Sequence, residues 1–347
     1  MRLREFVPLA PRTSLRLGGN ARYAVEAESD SDVREACEWA ERAKVPIWIL
    51  GGGSNVVVAD AGLDGLVLIA AQQGIAFESM GERTRVTACA GVSWDVLVAE
   101  CVQRELAGIE CLSGIPGLVG ATPIQNVGAY GQEVAETIES VRAYDRRQRA
   151  FVEIPAIECR FSYRDSRFKS DESGRFVITE VRFVLGRSEP SRPRYPELAR
   201  ALEELGRTPT LSDVRGTVLK LRRSKSMLAD ADDPNGRSCG SFFLNPVVPK
   251  ERASAIASAL ATNAMPQYPQ PEGSVKLSAA WLIEQAGLTK GLRRGNVGIS
   301  SKHALALVCH DGATAAELLE FSRWVQATVE ARTGVSLTPE PQFFGQG

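Results

Sequence analysis

The stretch GIPGLVGATPIQNVGAYG, residues 114–131, contains five glycines among eighteen residues. A shorter glycine segment, GGGSN at residues 51–55, lies upstream between the apolar runs VPIWIL and VVV. Glycine lets successive backbone N–H groups point into one concavity, and such concavities bind phosphate oxygens. Two glycine segments therefore predict a ligand that contains a diphosphate, such as a dinucleotide.

The shorter segment does not match the common nucleotide-binding fingerprints. Val56 stands where the pattern GxGxxG requires its third glycine, and no GK[ST] follows to make a P-loop. The β-branched run after the segment predicts a strand, whereas those fingerprints hold phosphate at a helix N-terminus. The pattern argues against a Rossmann fold.

Length, composition and charge bound the class of protein. The 347 residues are 44% hydrophobic and 24% charged, which is typical of globular proteins with two or three domains. The net charge of −1 predicts no general attraction to nucleic acid or to a membrane surface. No apolar run has the pattern of a signal peptide or of a membrane span. We expect a cytoplasmic protein with no nucleic-acid or membrane partner.

Cysteine and histidine usage argues against metal and hydrolase chemistry. The seven cysteines are scattered without CxxC spacing, and we expect reduced, mostly buried thiols. The two histidines, His303 and His310, are too few for a histidine metal cluster and weaken a serine–histidine hydrolase hypothesis. We predict no metal site.

Periodicity predicts alternating helices and strands along the chain. Helices are expected at 31–44, from Trp94 to about Leu106, from Leu211, and within 251–261, 277–287 and 314–334. Strands are expected at 85–91, 138–144, 150–154 and 176–185 and around residues 51–55, with an exposed loop at 186–197. These elements predict three domains, at 1–70, 71–210 and 211–334. The tail 335–347 is expected to dock near the active site.

Four further segments place polar residues beside apolar ones. They are FSYRDSRFK (161–169), RRSK (222–225), CGSFFLNP (239–246) and YPQPEGSVKLSAAWLIEQAG (268–287). Each has an ordinary structural explanation in isolation. Arg164 can pair with Asp165, Ser241 can close a turn, and Glu340 can be an exposed tail residue.

Taken in order with the glycine segments, these motifs resemble the MurB family of UDP-N-acetylenolpyruvoylglucosamine reductases. The resemblance runs from RLGGNARY at residue 16 to LTPEPQFFG at residue 345. It implies an α+β or α/β fold with a two-lobed FAD-binding unit of the vanillyl-alcohol-oxidase (PCMH) type. A third α/β domain is implied to bind substrate.

The resemblance implies noncovalent FAD as cofactor and NADPH as hydride donor. Gly128, like Gly131, can alternatively serve only to close a turn. The residues implied to contact FAD are Gly51, Gly52, Gly53, Ser54, Asn55, Gly114, Ile115, Pro116, Gly120, Ala121, Thr122, Pro123, Gln125, Asn126 and Gly128.

The implied reaction reduces UDP-N-acetylglucosamine enolpyruvate to UDP-N-acetylmuramate for peptidoglycan synthesis. Hydride reaches the methylene carbon of the enolpyruvyl group, and negative charge spreads into the adjacent carboxylate. The resemblance places Arg164 and Glu340 at this carboxylate and makes Ser241 the proton donor. The planar fork of arginine suits bidentate contact with a carboxylate.

The resemblance also implies contacts with the substrate. Tyr195 matches a tyrosine that folds over the nucleotide in one subclass, although it can equally be a loop aromatic without a role. Lys302 and His303 fall where some relatives carry glutamine, and no role is assigned to them. The residues implied to contact substrate are Tyr163, Tyr195, Lys225, Asn245, Tyr268 and Lys276.

Two other functions fit parts of the sequence. A noncovalent flavin oxidase of the same fold is one, and the absence of histidine and cysteine from the glycine segments argues against a tethered flavin. A nucleotide-sugar-binding protein without turnover is the other, and the joint presence of Arg164, Ser241 and Glu340 argues against it. We expect a monomer.

Overall fold

A computed structural model describes residues 1–187, 195–230, 232–270 and 273–345. The chain divides into two units, each assembled from three segments. Unit 1 consists of Met1–Val7, Ala21–Gly53 and Leu63–Ala229. Unit 2 consists of Pro8–Asn20, Ser54–Gly62 and Asp230–Gly347.

The α-helices of the described residues are spread along the chain. They are α1 (Asp30–Ala43), α2 (Trp94–Gln103), α3 (Pro196–Glu203), α4 (Leu211–Ser224), α5 (Lys250–Ala259), α6 (Ala279–Gln285) and α7 (Ala315–Thr333).

The strands fall into several small sheets and one larger sheet. They are β1 (Arg4–Pro8), β2 (Asn20–Ala27), β3 (Ile47–Leu50), β4 (Val56–Val58), β5 (Leu63–Ala70), β6 (Ile75–Met80), β7 (Arg83–Cys89), β8 (Gly128–Ala129), β9 (Gln132–Glu133), β10 (Ile138–Asp145), β11 (Ala150–Pro155), β12 (Phe176–Gly186), β13 (Val247–Pro249), β14 (Gln267–Pro269), β15 (Ser274–Leu277), β16 (Arg293–Arg294), β17 (Val297–Ile299), β18 (Leu307–Cys309) and β19 (Gln342–Phe344).

A four-stranded sheet of order β1-β2-β5-β3 forms the first part of unit 1. Strands β2, β5 and β3 run parallel, and β5 is buried along nearly its whole length. Helix α1 begins at Ser29, whose hydroxyl accepts a hydrogen bond from the backbone N–H of Asp32. Its buried face contains Val33, Ala36 and Ala40, in the same core cluster as residues of β2 and β5.

An antiparallel sheet of order β11-β10-β12-β7-β6 forms the second part of unit 1. One face of this sheet shares a core with α2, where Trp94 and Leu97 are fully buried beside Phe183. The indole N–H of Trp94 donates to the carbonyl oxygen of Leu112 at 3.0 Å, which fixes the chain just before the longer glycine segment. Helix α2 and the sheet therefore support the start of that segment.

Unit 2 is built on one core shared by α5, α6, α7 and short sheets. Helix α7 begins with a capping box between Thr314 and Glu317 and ends at Gly334, whose φ of 67° is left-handed. The carboxylate of Asp60 also accepts hydrogen bonds from the N–H groups of Ala315 and Ala316, at 2.7 and 2.9 Å. A segment near the start of the chain thus stabilises the N-terminus of the last helix.

Most predicted elements are confirmed, with two corrections. The expected pair of strands around residues 51–55 is present, but the two strands lie in different sheets, because β3 joins the parallel sheet and β4 pairs with β19. The expected loop at 186–197 ends earlier, because α3 begins at Pro196. Residues 188–194 of that loop lie outside the described residues. The predicted domain boundaries at 70 and 210 stay a prediction, and α4 belongs to unit 1.

In the described part of the chain, no helix combines the length and the apolar character that crossing a membrane requires.

Candidate active site

The two glycine segments meet in unit 1, just beyond β3. A Cβ atom added to Gly52 would lie 2.8 Å from the Cα of Gly117, a distance that real Cβ atoms do not adopt. A Cβ on Gly51 would meet the Cβ of Ala121 at 3.5 Å, which is ordinary contact. Glycine is therefore required at position 52 because two backbones approach closely there. The structure brings together the two segments that the sequence predicts to bind one ligand.

The middle of the longer segment is wound into a tight turn whose amides bond inside the protein. The N–H groups of Val119 and Gly120 donate to the carbonyls of Val92 and Ala90, at 2.9 and 3.0 Å. The N–H groups of Ala121 and Thr122 donate within the turn itself. These bonds fix the shape of the segment, and the FAD contacts predicted for it stay a prediction.

Gly114 is held on both sides by residues that sequence reasoning missed. Its N–H donates to the carboxylate of Asp95 at 2.6 Å, and its carbonyl accepts from Nε of Arg222 at 3.1 Å. The guanidinium of Arg222 also donates to the carbonyl of Met227 at 2.7 Å. The RRSK motif contains Arg222, but only the fold shows that it turns inward to bind the glycine segment.

Burial and neighbouring charges shift the pKa values of the ionisable groups around Gly114. Burial lowers the pKa of the Arg222 guanidinium, against the influence of Tyr130 and Asp95. Burial works to raise the pKa of Asp95, but hydrogen bonds from Arg215 and from the N–H of Gly114 bring it below its ordinary value. Burial raises the pKa of Tyr130 to about 12, so its hydroxyl stays protonated.

Asn126 has an internal role in the longer glycine segment. Its side-chain amide donates to the carboxylate of Glu133 at 2.7 Å and to the carbonyl of Ser162 at 3.0 Å. Its side-chain oxygen accepts from the N–H of Ala135 at 3.1 Å. These bonds tie the segment to the loop that precedes Arg164. Contact of Gln125 and Asn126 with FAD stays a prediction.

The backbone conformation of Arg164 and two carbonyl oxygens fix the direction of its side chain. Its φ of 57° is left-handed, and its guanidinium donates to the carbonyls of Gly128 and Asn126 at 2.5 and 3.4 Å. A Cβ on Gly128 would lie 3.0 Å from Nη1 of Arg164, so glycine there leaves room for the guanidinium. The guanidinium carbon lies 5.4 Å from the centroid of the Tyr163 ring. Gly128 thus contacts the predicted catalytic arginine as well as Gln132 and Glu133 of the neighbouring strand.

The pairing of Arg164 with Asp165, the ordinary alternative, is not what the hydrogen bonds show. The carboxylate of Asp165 accepts from the N–H of Ser166 and from the hydroxyl of Ser170. Nζ of Lys169 donates to the backbone carbonyl of Arg164 at 2.8 Å. The YRDSRFK motif therefore folds into a local turn that presents the arginine.

Ser241 and Glu340 are brought together in unit 2. Ser241 forms an isolated antiparallel bridge with Ala306, and the N–H of Phe242 donates to the carbonyl of Leu305 at 2.8 Å. On its other side, the carbonyl of Phe242 accepts from the N–H of Glu340 at 2.9 Å. Phe242 itself is fully buried, and it anchors the segment between the other two.

The shorter glycine segment is joined to the C-terminal strand. The side-chain amide of Asn55 donates to the carbonyl of Glu340 at 3.4 Å, and the N–H of Gln342 donates to the carbonyl of Asn55 at 3.0 Å. Strand β19 then pairs in parallel with β4, with Phe343 opposite Val57. The last strand of the chain therefore fixes both Asn55 and Glu340.

Cys239 lies two residues before Ser241 and is half-buried. Burial raises the pKa of its thiol, and the nearby Glu340 and Cys309 act in the same direction. The group is a neutral thiol at physiological pH.

Three of the predicted substrate contacts form a group in unit 2. Tyr268 and Lys276 are cross-strand partners on β14 and β15, and Val247 faces Lys276 from β13. The side-chain oxygen of Asn245 accepts from the N–H of Ala279 at 2.9 Å and so helps to cap α6. Tyr268, Lys276 and Asn245 thus lie on neighbouring elements of unit 2.

Three others lie in unit 1. Nζ of Lys225 donates to the carboxylate of Glu197 at 2.5 Å. The ring of Tyr195 packs edge-to-face on Tyr130, with centroids 5.3 Å apart. Tyr163 lies beside Arg164. The sequence does not predict the role of Glu197, because nothing in PRYPE indicates that its carboxylate pairs with Lys225.

The catalytic candidates are divided between the units. Arg164 belongs to unit 1, whereas Ser241 and Glu340 belong to unit 2. Lys302 and His303 follow Ser300, whose hydroxyl accepts hydrogen bonds from both of their N–H groups. Within the described ranges, no group of three histidine, cysteine, aspartate or glutamate residues is placed to hold a metal ion.

Comparison with known proteins gives consistent matches. Residues 232–344 match the family model "UDP-N-acetylenolpyruvoylglucosamine reductase, C-terminal domain", and residues 21–148 match "FAD binding domain". The chain is 46% identical to the UDP-N-acetylenolpyruvoylglucosamine reductase of Thermobifida fusca, over 98% of this chain and 97% of that relative. It is likewise 46% identical to the reductase of Streptomyces coelicolor, over 97% of this chain and 89% of that relative.

A solved structure is similar over the whole length. The reductase from Thermus caldophilus aligns with a TM-score of 0.68 and 26% identity, covering 99% of each chain. This structure and the FAD-binding family model confirm the predicted fold class.

Proposed function

Because the chain belongs to the UDP-N-acetylenolpyruvoylglucosamine reductase family, we propose that it reduces UDP-N-acetylglucosamine enolpyruvate to UDP-N-acetylmuramate. The chain is thus a flavoprotein oxidoreductase with FAD as cofactor and NADPH as reductant. The product supplies peptidoglycan synthesis.

One observation carries this proposal. Identity of 46% extends over 98% of the chain, and the three residues that the family reaction needs, Arg164, Ser241 and Glu340, are all present. A binding protein without turnover would tolerate substitutions at these positions.

The residues of the glycine segments fit FAD. A Cβ on Gly52 would overlap the Cα of Gly117 at 2.8 Å, so the two loops meet as backbone without side chains. Such bare backbone is what a diphosphate needs for close contact. We therefore assign FAD to residues 51–55 and 114–128. When bound, FAD supplies the hydride that reaches the substrate's methylene carbon.

Ser241 is proposed to donate the proton. A hydroxyl is protonated throughout the physiological pH range, so it needs no special pKa to serve as an acid. It gives its proton only to a strong base, and the carbon of an enolate is one. The backbone bonds of its neighbour Phe242 to Leu305 and Glu340 support this assignment, because they hold the segment in one position.

Arg164 and Glu340 are proposed to act at the carboxylate of the enolpyruvyl group. Charge develops there in the transition state, and one well-placed donor is worth roughly 3–4 kcal/mol. The guanidinium of Arg164 is already held by two neutral carbonyl oxygens, which fix its direction without neutralising its charge.

The uridine diphosphate is proposed to contact two groups of side chains. Lys225 and Lys276 offer ammonium groups to the phosphates. Neutral contacts are assigned to Tyr163, Tyr195, Asn245 and Tyr268. The pairing of Tyr268 opposite Lys276 supports treating these two as one binding surface.

Anaerobic stopped-flow absorbance tests the function. NADPH should bleach the oxidised flavin band, and UDP-N-acetylglucosamine enolpyruvate should restore it without oxygen. Restoration only on admission of air would favour a flavin oxidase and reject the reductase. A purified protein without flavin would contradict the FAD assignment.

We further propose that the enzyme acts in the cytoplasm as a monomer, without nucleic-acid or membrane partners. Seven free thiols support a reducing compartment. Sedimentation velocity of the FAD-loaded protein tests the oligomeric state.

A further inference from the structure

The ammonium group of Lys225 already has an anionic partner inside the protein. Nζ of Lys225 lies 2.5 Å from Oε2 of Glu197, and the two side chains are 23% and 37% exposed. Lys225 is the C-cap of α4, whose last turn also contains the basic residues Arg222 and Arg223. The aromatic ring of Tyr130 lies beneath, with its centroid 6.0 Å from Nζ. Lys225 is therefore fixed between a ring and a carboxylate.

Glu197 is delivered to Lys225 by a well-anchored helix. It lies in the first turn of α3, where Pro196 starts the helix. Leu198 and Leu202 are buried and share a core with Val214 and Val218 of α4. This packing holds α3 against α4 independently of the ion pair. Removal of the carboxylate should leave α3 in place.

The same turn also carries Tyr195. Its ring packs on Tyr130, the aromatic ring near Nζ of Lys225. Tyr195, Glu197, Tyr130 and Lys225 consequently form one contact group.

A diphosphate and Glu197 are alternative partners for the same cation. Both are anionic oxygen acceptors, and placing them on one ammonium group brings like charges together. A phosphate that reaches Nζ must therefore displace the carboxylate or work against its charge.

We propose that Glu197 competes with the diphosphate of a nucleotide sugar for Lys225 and so weakens the binding of substrate and product. This inference rests on the proposed function, because it takes the ligand of Lys225 to be the uridine diphosphate. Glu197 is on this account a residue that limits the affinity for the nucleotide. It holds Lys225 in position and keeps the nucleotide from binding too tightly to be released.

Calorimetric titration of UDP into the FAD-loaded enzyme tests the competition. Glu197→Gln keeps the shape of the side chain and removes its charge, and the dissociation constant for UDP should fall about fivefold, the scale of a partly exposed ion pair. Glu203→Gln is the matched control, because it removes the same charge from an exposed position at the other end of α3. Its dissociation constant should equal that of the wild type.

A second background assigns the effect to Lys225. In the Lys225→Met enzyme, adding Glu197→Gln should leave the dissociation constant for UDP unchanged. The ammonium group for which the Glu197 carboxylate and the diphosphate compete is absent there. Flavin absorbance and thermal melting of each variant check that it is folded and holds FAD.

The possible outcomes distinguish failure of the competition by Glu197 from failure of the proposed reductase function. Wild-type and Glu197→Gln enzymes that bind UDP equally, or weaker binding by the variant, would overturn the competition while leaving the reductase intact. Tighter binding that persists without Lys225 would also overturn it. Failure of every form, including the wild type, to bind UDP would reject the nucleotide ligand itself.

Discussion

The segment of Ser241 is held by backbone bonds of its neighbour Phe242 to Leu305 and Glu340, and the Ser241 side chain is the proposed proton donor. Ser241→Ala removes the hydroxyl while leaving the bridge to Ala306 available. We expect flavin reduction by NADPH to be nearly unchanged and flavin reoxidation by substrate to slow by about 10²–10⁴-fold, the usual effect of losing a general acid. Stopped-flow absorbance of the two half-reactions measures both rates.

A matched variant distinguishes proton donation from packing. Ser241→Cys retains a group with a transferable proton, and it should recover part of the second half-reaction. Equal loss of both half-reactions in Ser241→Ala would refute the assignment of Ser241 as proton donor.

The thiol of Cys239 should be unreactive although it lies beside the proposed proton donor. Burial and the charge of Glu340 raise its pKa, so the nucleophilic thiolate is scarce. At about pH 8, iodoacetamide should label Cys239 far more slowly than a free cysteine of ordinary pKa. Peptide mass spectrometry over time measures this rate. Because Cys239 is not the group that reacts, iodoacetamide should inactivate the Cys239→Ala enzyme no more slowly than the wild type. Rapid labelling of Cys239 would contradict the raised pKa.

At the scale of single residues, the sequence indicates which residue types are functional better than it indicates their hydrogen-bond and ion-pair partners. The RRSK motif draws attention to Lys225, yet the inward position of Arg222 and the ion pair with Glu197 depend on α3 and on Gly114. These contacts join residues 28 and 108 positions apart. No local pattern encodes a partner at such separations.

At the scale of elements, the approach of the two glycine loops gives a sharp test. Gly52→Ala places a Cβ 2.8 Å from the Cα of Gly117, and backbone cannot move aside cheaply. Overpacking of this kind costs about 1–3 kcal/mol, so the affinity for FAD should fall about 5- to 150-fold if the cost falls on the FAD-binding form. Flavin fluorescence during titration of apoenzyme measures the affinity.

Gly216 supplies the control for this substitution. It lies within α4, and a Cβ there meets nothing within 4 Å. Gly216→Ala should stabilise the helix by about 0.5–1 kcal/mol and leave the affinity for FAD unchanged. Normal FAD binding by Gly52→Ala would show that the loops can separate.

The ion pair of Asp145 and Arg175 fastens the end of β10. The Asp145 side chain is 1% exposed, and its carboxylate accepts bonds from the Arg175 guanidinium, with one oxygen 2.5 Å from Nη2. Arg175→Met should lower the free energy of unfolding by about 2 kcal/mol, because a buried charge keeps only the N–H groups of Arg147 and Gln148 as donors. Urea denaturation measures the change. Arg149→Met, which breaks an exposed pair with Glu41, should cost less than about 1 kcal/mol.

The same pair predicts a dependence on pH. Burial works to raise the pKa of Asp145, but Arg175 and two backbone N–H groups bring it below the ordinary value. Its stabilising effect is therefore complete above about pH 4, the pKa of an unfolded aspartate, and is lost as the pH falls further. The difference in unfolding free energy between wild type and Arg175→Met should shrink in acid. A difference that grows in acid would contradict the lowered pKa.

Elements differ in how well the sequence predicts them. Helix α7 is evident from its capping box, its apolar face and Gly334, because all three are local signals. Helix α3 is hidden by the proline-rich residues before it, which are typical of a loop. Strand β4 is visible as three valines, but its partner β19 lies near the opposite end of the chain.

At the scale of the whole molecule, unit 2 depends on segments that its main sequence block lacks. Leu15, Leu17 and Val57 are buried in its core, and Asp60 caps α7. Burial of three such side chains is worth about 6 kcal/mol, which is comparable to the total stability of a domain. A fragment of residues 230–347 should therefore show no cooperative thermal unfolding by circular dichroism. A cooperative transition in this fragment would show that the missing segments are dispensable.

The pairing of β4 with β19 also bears on how the protein is made. About 280 residues separate these strands, and at roughly 5–20 residues per second the ribosome needs tens of seconds to add them. During that interval the three valines of β4 emerge without the strand that later covers them. Apolar strand edges of this kind are sites of aggregation. A slow codon or a truncated message downstream of β4 therefore leaves an aggregation-prone nascent chain. Chaperone demand during translation should therefore persist until β19 has been synthesised.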